Sequence, residues 1–184
     1  YTGSESSGWY IDGIEVVAKV PEFTGDFEAG WGDWSADRGL WEVGTPTAGP
    51  GSCPSGSQCA GTVLGGNYAG FTDSRLISPT LLLPTVSAEE ELYLRFWQWF
   101  SYSSYDTGYV QISVQDETTG EWSEWEIIGN SIVDISGVWS LMSVDLTAYA
   151  GRRVRIAFYH TANRSPSYTG SESSGWYIDG IEVV

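Results

Sequence analysis

The stretch ELYLRFWQWFSY, residues 91–102, sets Leu92, Leu94, Phe96 and Phe100 on one side of an extended chain and Tyr93, Arg95, Trp97 and Trp99 on the other. A period of two residues is that of a β-strand. Both sides are aromatic, so either both are covered by protein or one of them binds something. Downstream, DTGYVQISVQD (106–116) repeats the pattern, with Val110, Ile112 and Val114 toward the core and Tyr109, Gln111 and Ser113 opposite. ETTGEW (117–122) then reads as a hairpin turn, with SEWEIIG (123–129) as its return strand. VWSLMSVDL (138–146) and RRVRIAFYHTA (152–162) continue the alternation, the latter with Val154, Ile156 and Phe158 inward and Arg153, Arg155 and Tyr159 outward. The connecting LTAYAG suits a single helical turn.

Working toward the N-terminus, SRLISPTLLLP (74–84) reads as strand closed by Pro79 and Pro84, and AGTVLGGNYAGF (60–71) as a short strand and a turn. The count reaches about ten short strands, the spacing of an antiparallel sandwich. Before them, Phe27, Trp31, Trp34 and Trp41 are anchors for a long irregular segment rich in Gly and Asp.

The segment YTGSESSGWYIDGIEVV occurs twice without a difference, as residues 1–17 and 168–184. Such a repeat points to a tandem array, with 1–17 the terminal strand of a preceding unit and 18–184 one domain. An engineered overlap or a circular permutation is the other origin. Trp176, Tyr177, Ile178, Ile181 and Val183 make the second copy a closing strand. The first copy carries the same apolar set in Trp9, Tyr10, Ile11, Ile14 and Val16, and an unpaired strand of this kind recruits a partner, so self-association with neighbouring identical repeats or copies is expected.

Composition narrows the classes. With 41% hydrophobic residues, 15% aromatic residues and 23 glycines in 184 residues, the chain is a folded, β-rich, turn-rich domain. The net charge of −16, with Lys19 the one lysine among eight basic residues, argues against nucleic acid and anionic membranes and favours cations. No run is apolar enough for membrane insertion. Cys53 and Cys59, with one histidine, do not make a zinc site and read as a local disulfide, hence an oxidising, extracellular or cell-surface setting. The sequon Asn163-Arg164-Ser165 precedes Pro166 and is read as incidental.

Catalytic motifs are weak. His160 continues the core-facing series of Phe158 and Ile156, so it is read as structural. Glu124 and Glu126, near Glu121, share a strand face about 7 Å apart and read as a solvated face beside the hairpin. No nucleophile elbow or phosphate loop is present. Binding chemistry is stronger. Tyr93, Arg95, Trp97, Trp99, Tyr109, Gln111, Arg153, Arg155 and Tyr159 form an outward polar-aromatic set of the kind that stacks sugars and bonds their hydroxyls. The Trp-rich segment 29–60 also needs a place to pack, and burial of that set beneath it is the favoured expectation.

The order DFEAGW, GSQCAGTVLGGNY, SRLISP, LYLRFWQWF, SSYDTGYVQISV, VDLTAYAGRRVRIAFYH and GWYIDGIEV, over about residues 22–184, resembles the MAM-like jelly-roll domains of bacterial secreted proteins, including cleaved-adhesin and "choice-of-anchor" modules. The resemblance implies an all-β antiparallel jelly-roll sandwich, used as a noncatalytic structural or adhesive repeat that assembles into an array or fibre. It also implies a structural calcium ion, on Glu28 of DFEAG and Asp179 of WYIDG, with Asp26 and Asp106 as further ligands. Gly180 stands where many relatives carry a second Asp. The alternative function is a carbohydrate-binding module accessory to a secreted enzyme, binding glycans through Trp97, Trp99, Tyr109 and Arg95.

Overall fold

The structure, a computed structural model, describes residues 23, 25–162 and 172–184. Its strands are β1 (Ser35–Ala36), β2 (Glu42–Gly44), β3 (Cys59–Gly61), β4 (Asp73–Ile77), β5 (Leu81–Leu82), β6 (Tyr93–Ser101), β7 (Thr107–Val114), β8 (Glu126–Ile132), β9 (Ser140–Asp145), β10 (Arg153–Thr161) and β11 (Gly175–Val183). The LTAYAG link supplies one 3-10 turn, Thr147–Tyr149. One sheet runs β1-β4-β10-β7-β8 with β5 also paired to β10, and the other runs β2-β3-β11-β6-β9. The pairings are antiparallel, and from β3 to β4, β6 to β7 and β8 through β11 the chain crosses from one sheet to the other. This is the expected jelly-roll sandwich.

The inward faces meet in an aromatic core. Phe96 of β6 packs edge-on to Phe158 of β10 at 4.9 Å between centroids, and Phe158 meets Trp176 of β11 at 5.6 Å. Trp34 and Trp41, placed by sequence over an outer face, instead belong to this core: Trp34 lies 6.2 Å from Phe158, and Trp41 lies 6.1 Å from Trp176. Large indoles bury more apolar area between the sheets than against one of them, so the irregular segment inserts at the sandwich edge. Gln98 is the polar member of the inward row of β6, and its Oε1 accepts the Trp176 indole N–H at 3.1 Å.

The second copy of the repeated segment forms β11, held between β3 and β6 with Trp176, Tyr177 and Ile178 wholly buried. A register shift follows Asp179, where Gly180 adopts φ 56°. Glycine adopts that left-handed conformation without strain. The bulge returns Ile181 and Val183 to the core while Tyr177 and Asp179 point outward. The first copy, with Trp9, Tyr10, Ile11, Ile14 and Val16, lies outside the described residues, as does the sequon.

Candidate functional site

The sequence-predicted polar-aromatic set divides between two surfaces. β6 and β7 are joined across the sandwich rather than by a hairpin within one sheet, so their outward faces point in opposite directions. Tyr93, Arg95, Trp97 and Trp99 therefore lie on the outside of the β11-containing sheet, and Tyr109, Gln111, Arg153, Arg155 and Tyr159 on the outside of the other. Trp97, Trp99 and Arg95 do not join Tyr109 in one site. Trp99 is half-buried edge-on to Tyr177 at 5.5 Å, and Trp97 sits opposite Leu141.

The Tyr109 side carries the built arrangement. Tyr159 faces Arg75 across β4 and Tyr109 across β7. The Tyr159 and Tyr109 rings are near-parallel at 6.5 Å, and the Arg75 guanidinium lies 4.1 Å from the Tyr159 centroid and 5.7 Å from that of Trp125. Arg155 continues the row, 5.6 Å from Trp125 and 4.0 Å from Trp122. Trp122, Arg155, Trp125, Arg75, Tyr159 and Tyr109 thus form a ladder of alternating rings and guanidinia, continued by the tyrosine pair.

Trp122 and Trp125 come from the connection between β7 and β8, which folds back over the sheet. Gln115 bridges to Trp122, and Asp116 Oδ1 accepts the backbone N–H groups of Thr118 and Thr119, both at 2.8 Å. Arg75 is fixed by Gln111, whose Oε1 accepts its Nε–H at 2.8 Å, and by Asp37 at 3.1 Å. Arg38 pairs with Asp73, which holds the Asp73 carboxyl below its usual range. Beside Tyr159 a cleft of about 270 Å³ is lined by Phe71, Thr72, Asp73, Tyr159, Thr161 and Ala162. Flat apolar rings with fixed donors and acceptors between them can stack a sugar and bond its hydroxyls. Arg75, Trp122 and Trp125 were missed in the sequence because β4 is remote in the chain and the two indoles lie where strand alternation stops.

A second constellation gathers where the cation was expected. Glu28 Oε1 accepts the backbone N–H groups of Ser57 and Gln58 at 2.9 and 2.8 Å, and its Oε2 accepts the Ser57 hydroxyl at 3.2 Å. Asp179, 1% exposed, accepts the Gly180 N–H on Oδ1 at 2.8 Å, while its Oδ2 is enclosed without a hydrogen-bond partner. Burial, reinforced by the nearby charges of Glu28 and Asp26, pushes the Asp179 carboxyl up to about 7. Asp106 stands apart, buried and accepting the Tyr68 hydroxyl at 2.6 Å. No group of three acidic, histidine or cysteine side chains converges among the described residues.

His160, fully buried, stacks on Tyr102 at 5.5 Å and meets the Tyr102 hydroxyl through Nδ1 at 3.2 Å. Glu121, Glu124 and Glu126 are exposed beside the hairpin. Cys53 and Cys59 form the expected disulfide.

No protein-family model matches the chain. Over 159 residues it is 31% identical to Bacillopeptidase F of Bacillus subtilis strain 168, an alignment covering 85% of this chain and 10% of that protein. The chain spans about a tenth of that relative's length. Among solved structures, it is similar to the CBM22-1 and GH10 modules of the endo-1,4-β-D-xylanase Xyn10B of Clostridium thermocellum, complexed with xylohexaose (TM-score 0.57, 13% identity, 88% of this chain and 28% of that one). It is also similar to the CBM22-2 xylan-binding domain of Paenibacillus barcinonensis Xyn10C (TM-score 0.51, 17% identity, 88% and 98%). The K2 cleaved-adhesin domain of Lys-gingipain aligns at a TM-score of 0.48 and 16% identity over 88% of this chain and 98% of that domain. These likenesses show the fold.

Proposed function

We propose that this chain is a noncatalytic glycan-binding module of a larger secreted protein. The observation that carries the reading is the ladder of rings and guanidinia across β4, β10, β7 and the β7–β8 connection, with a cleft at one end. The Trp-rich segment reaches that face through Asp37, which pairs with Arg75, while its indoles Trp34 and Trp41 pack into the core. The xylan-binding domains of similar fold support the ligand class, and the local disulfide and the similarity to Bacillopeptidase F support export. The test is retention of the chain on immobilised polysaccharides, followed by titration with xylohexaose and with neutral linear oligosaccharides of other linkage. Failure to bind any member of a broad glycan screen removes the reading.

Calcium belongs to the same proposal as a structural ion. Asp179 Oδ2 is a hard oxygen enclosed without a partner, with the Glu28 and Asp26 charges close by, and this donor chemistry fits calcium. Asp179 and Glu28, with Asp26, are the residues that would hold the ion, and its positive charge would offset their carboxylates.

The repeated segment supports a second reading, an adhesive or structural unit that exchanges strands. Residues 8–16 have the sequence of β11, a central strand with partners on both sides, so they compete for that slot in another copy. Light scattering on the chain with and without residues 1–17 tests it: equal association of both forms excludes exchange.

A further inference from the structure

Arg155 is the one rung of the ladder that has a charge and nothing to spend it on. Arg75 pairs with Asp37, and Arg38 with Asp73. Among the described residues Arg155 makes no ion pair and no hydrogen bond, and its Nε–H is enclosed without an acceptor. Desolvation is the cause that lowers its pKa, with no carboxylate acting against it. The indoles of Trp122 and Trp125 hold the guanidinium in place from its ring-facing sides. Arg155 is half-buried, and its terminal nitrogens, unlike Nε, keep some exposure.

Charge distribution points the same way. The chain carries a net charge of −16, yet Arg38, Arg75, Arg152, Arg153 and Arg155, five of its eight basic residues, lie in or within two residues of β1, β4 and β10. Asp73 and Asp37 pair with Arg38 and Arg75, so on the strands that bear the ladder Arg155 is the arginine held between rings without a carboxylate. Simple solubility does not ask for that arrangement. A planar guanidinium stacked on indoles and lacking a carboxylate of its own is a preorganised receptor for a planar anion.

We infer that Arg155 receives the carboxylate of an acidic sugar, and that the ladder selects uronic-acid-containing glycans over neutral ones. This rests on the glycan-binding reading and narrows it. The sugar ring stacks on the indole and tyrosine rings, while its carboxylate bonds the terminal nitrogens of Arg155.

The experiment titrates the unmodified chain with a hexamer of galacturonic acid and with the same hexamer after reduction of its carboxyl groups to alcohols, at about 20 and 200 mM salt. The expected result is at least about tenfold tighter binding of the acid form at low salt, with the preference shrinking at high salt. A parallel pair, glucuronic-acid-substituted and unsubstituted xylo-oligosaccharide, guards against a wrong backbone. Arg155→Gln is expected to abolish the preference and Arg155→Lys to retain part of it. Equal or tighter binding of the neutral member in both pairs overturns the inference while leaving glycan binding intact. Binding of neither class overturns both.

Discussion

The guanidinium of Arg75 lies 4.1 Å from the ring centroid of Tyr159, its direct neighbour across the β4–β10 pair. The contact joins residues 84 positions apart in sequence (159 minus 75) and fixes the middle of the ladder, since the same guanidinium also reaches Trp125. Gln111 and Asp37 lock it from the β7 and β1 sides. The platform is therefore built by four strands and one loop, and its rungs are not interchangeable.

Trp125→Ala removes the ring between the two arginines. An aromatic contact contributes about 0.5–1.5 kcal/mol beyond its area, so affinity for a bound oligosaccharide should fall by about three- to tenfold, read by calorimetry. Trp97→Ala, on the opposite sheet, should leave the affinity unchanged. The reverse pattern would move the site to the β6 face.

Asp179→Asn tests the cation. With a chelator present at pH 8, the parent must hold a buried carboxylate without a counter-ion, a burden that builds as pH rises from about 4 and is complete above about 7. The amide lacks that charge, so the variant should melt higher than the parent in chelator. In millimolar calcium the order should invert, because only the parent gains the ion. A parent whose melting point ignores both calcium and chelator would exclude a structural ion there.

The sandwich was legible because the inward rows of β6, β7 and β10 alternate cleanly, and Leu94, Phe96, Ile112 and Phe158 are all fully buried. What sequence could not show was which strands share a sheet. Alternation says that Trp97 and Tyr109 both point outward, but outward has two opposite directions in a sandwich, and only the crossing between β6 and β7 separates them. The tryptophans misled for a related reason. Trp34 and Trp41 stand in irregular chain, where no period reports a direction, and they fill the core. Trp122 and Trp125 also stand in irregular chain and build the ladder. Glu28 and Asp179 lie near enough for the Glu28 charge to act on Asp179, whereas Asp106 is buried against Tyr68, a contact that strand alternation does not report.

The disulfide and the Glu28 carboxylate share one loop. Ser57 and Gln58, whose N–H groups hold Glu28, lie inside the loop that Cys53 and Cys59 close. A clip of this size restricts the unfolded chain by about 2 kcal/mol in the chain-entropy account. Cys53→Ser should lower stability by an amount of that order and also weaken calcium binding, because the loop then presents its donors to Glu28 less rigidly. Unchanged calcium affinity in a folded Cys53→Ser protein would uncouple the two features.

His160 gives the fold an acid limit. Its ring is fully buried between Tyr68 and Tyr102, at 4.8 and 5.5 Å, and burial lowers its pKa from 6.5 to about 4. Between those values the unfolded chain binds a proton that the folded chain refuses. Stability is therefore full above about pH 6.5 and is lost as pH falls toward 4, by about 3 kcal/mol at roughly 1.4 kcal/mol per unit. Asp179 acts in the opposite sense over an overlapping range, since its raised pKa favours the folded state on acidification, so the raw pH profile mixes the two. The comparison that isolates His160 is with His160→Gln, which keeps a polar partner for the Tyr102 hydroxyl and cannot titrate. Urea unfolding at pH 7 and pH 4 should show the parent losing about 3 kcal/mol more than the variant. Parallel losses in the two proteins would mean that the ring is protonated within the fold, and that the packing of Tyr68 and Tyr102 yields to admit the charge.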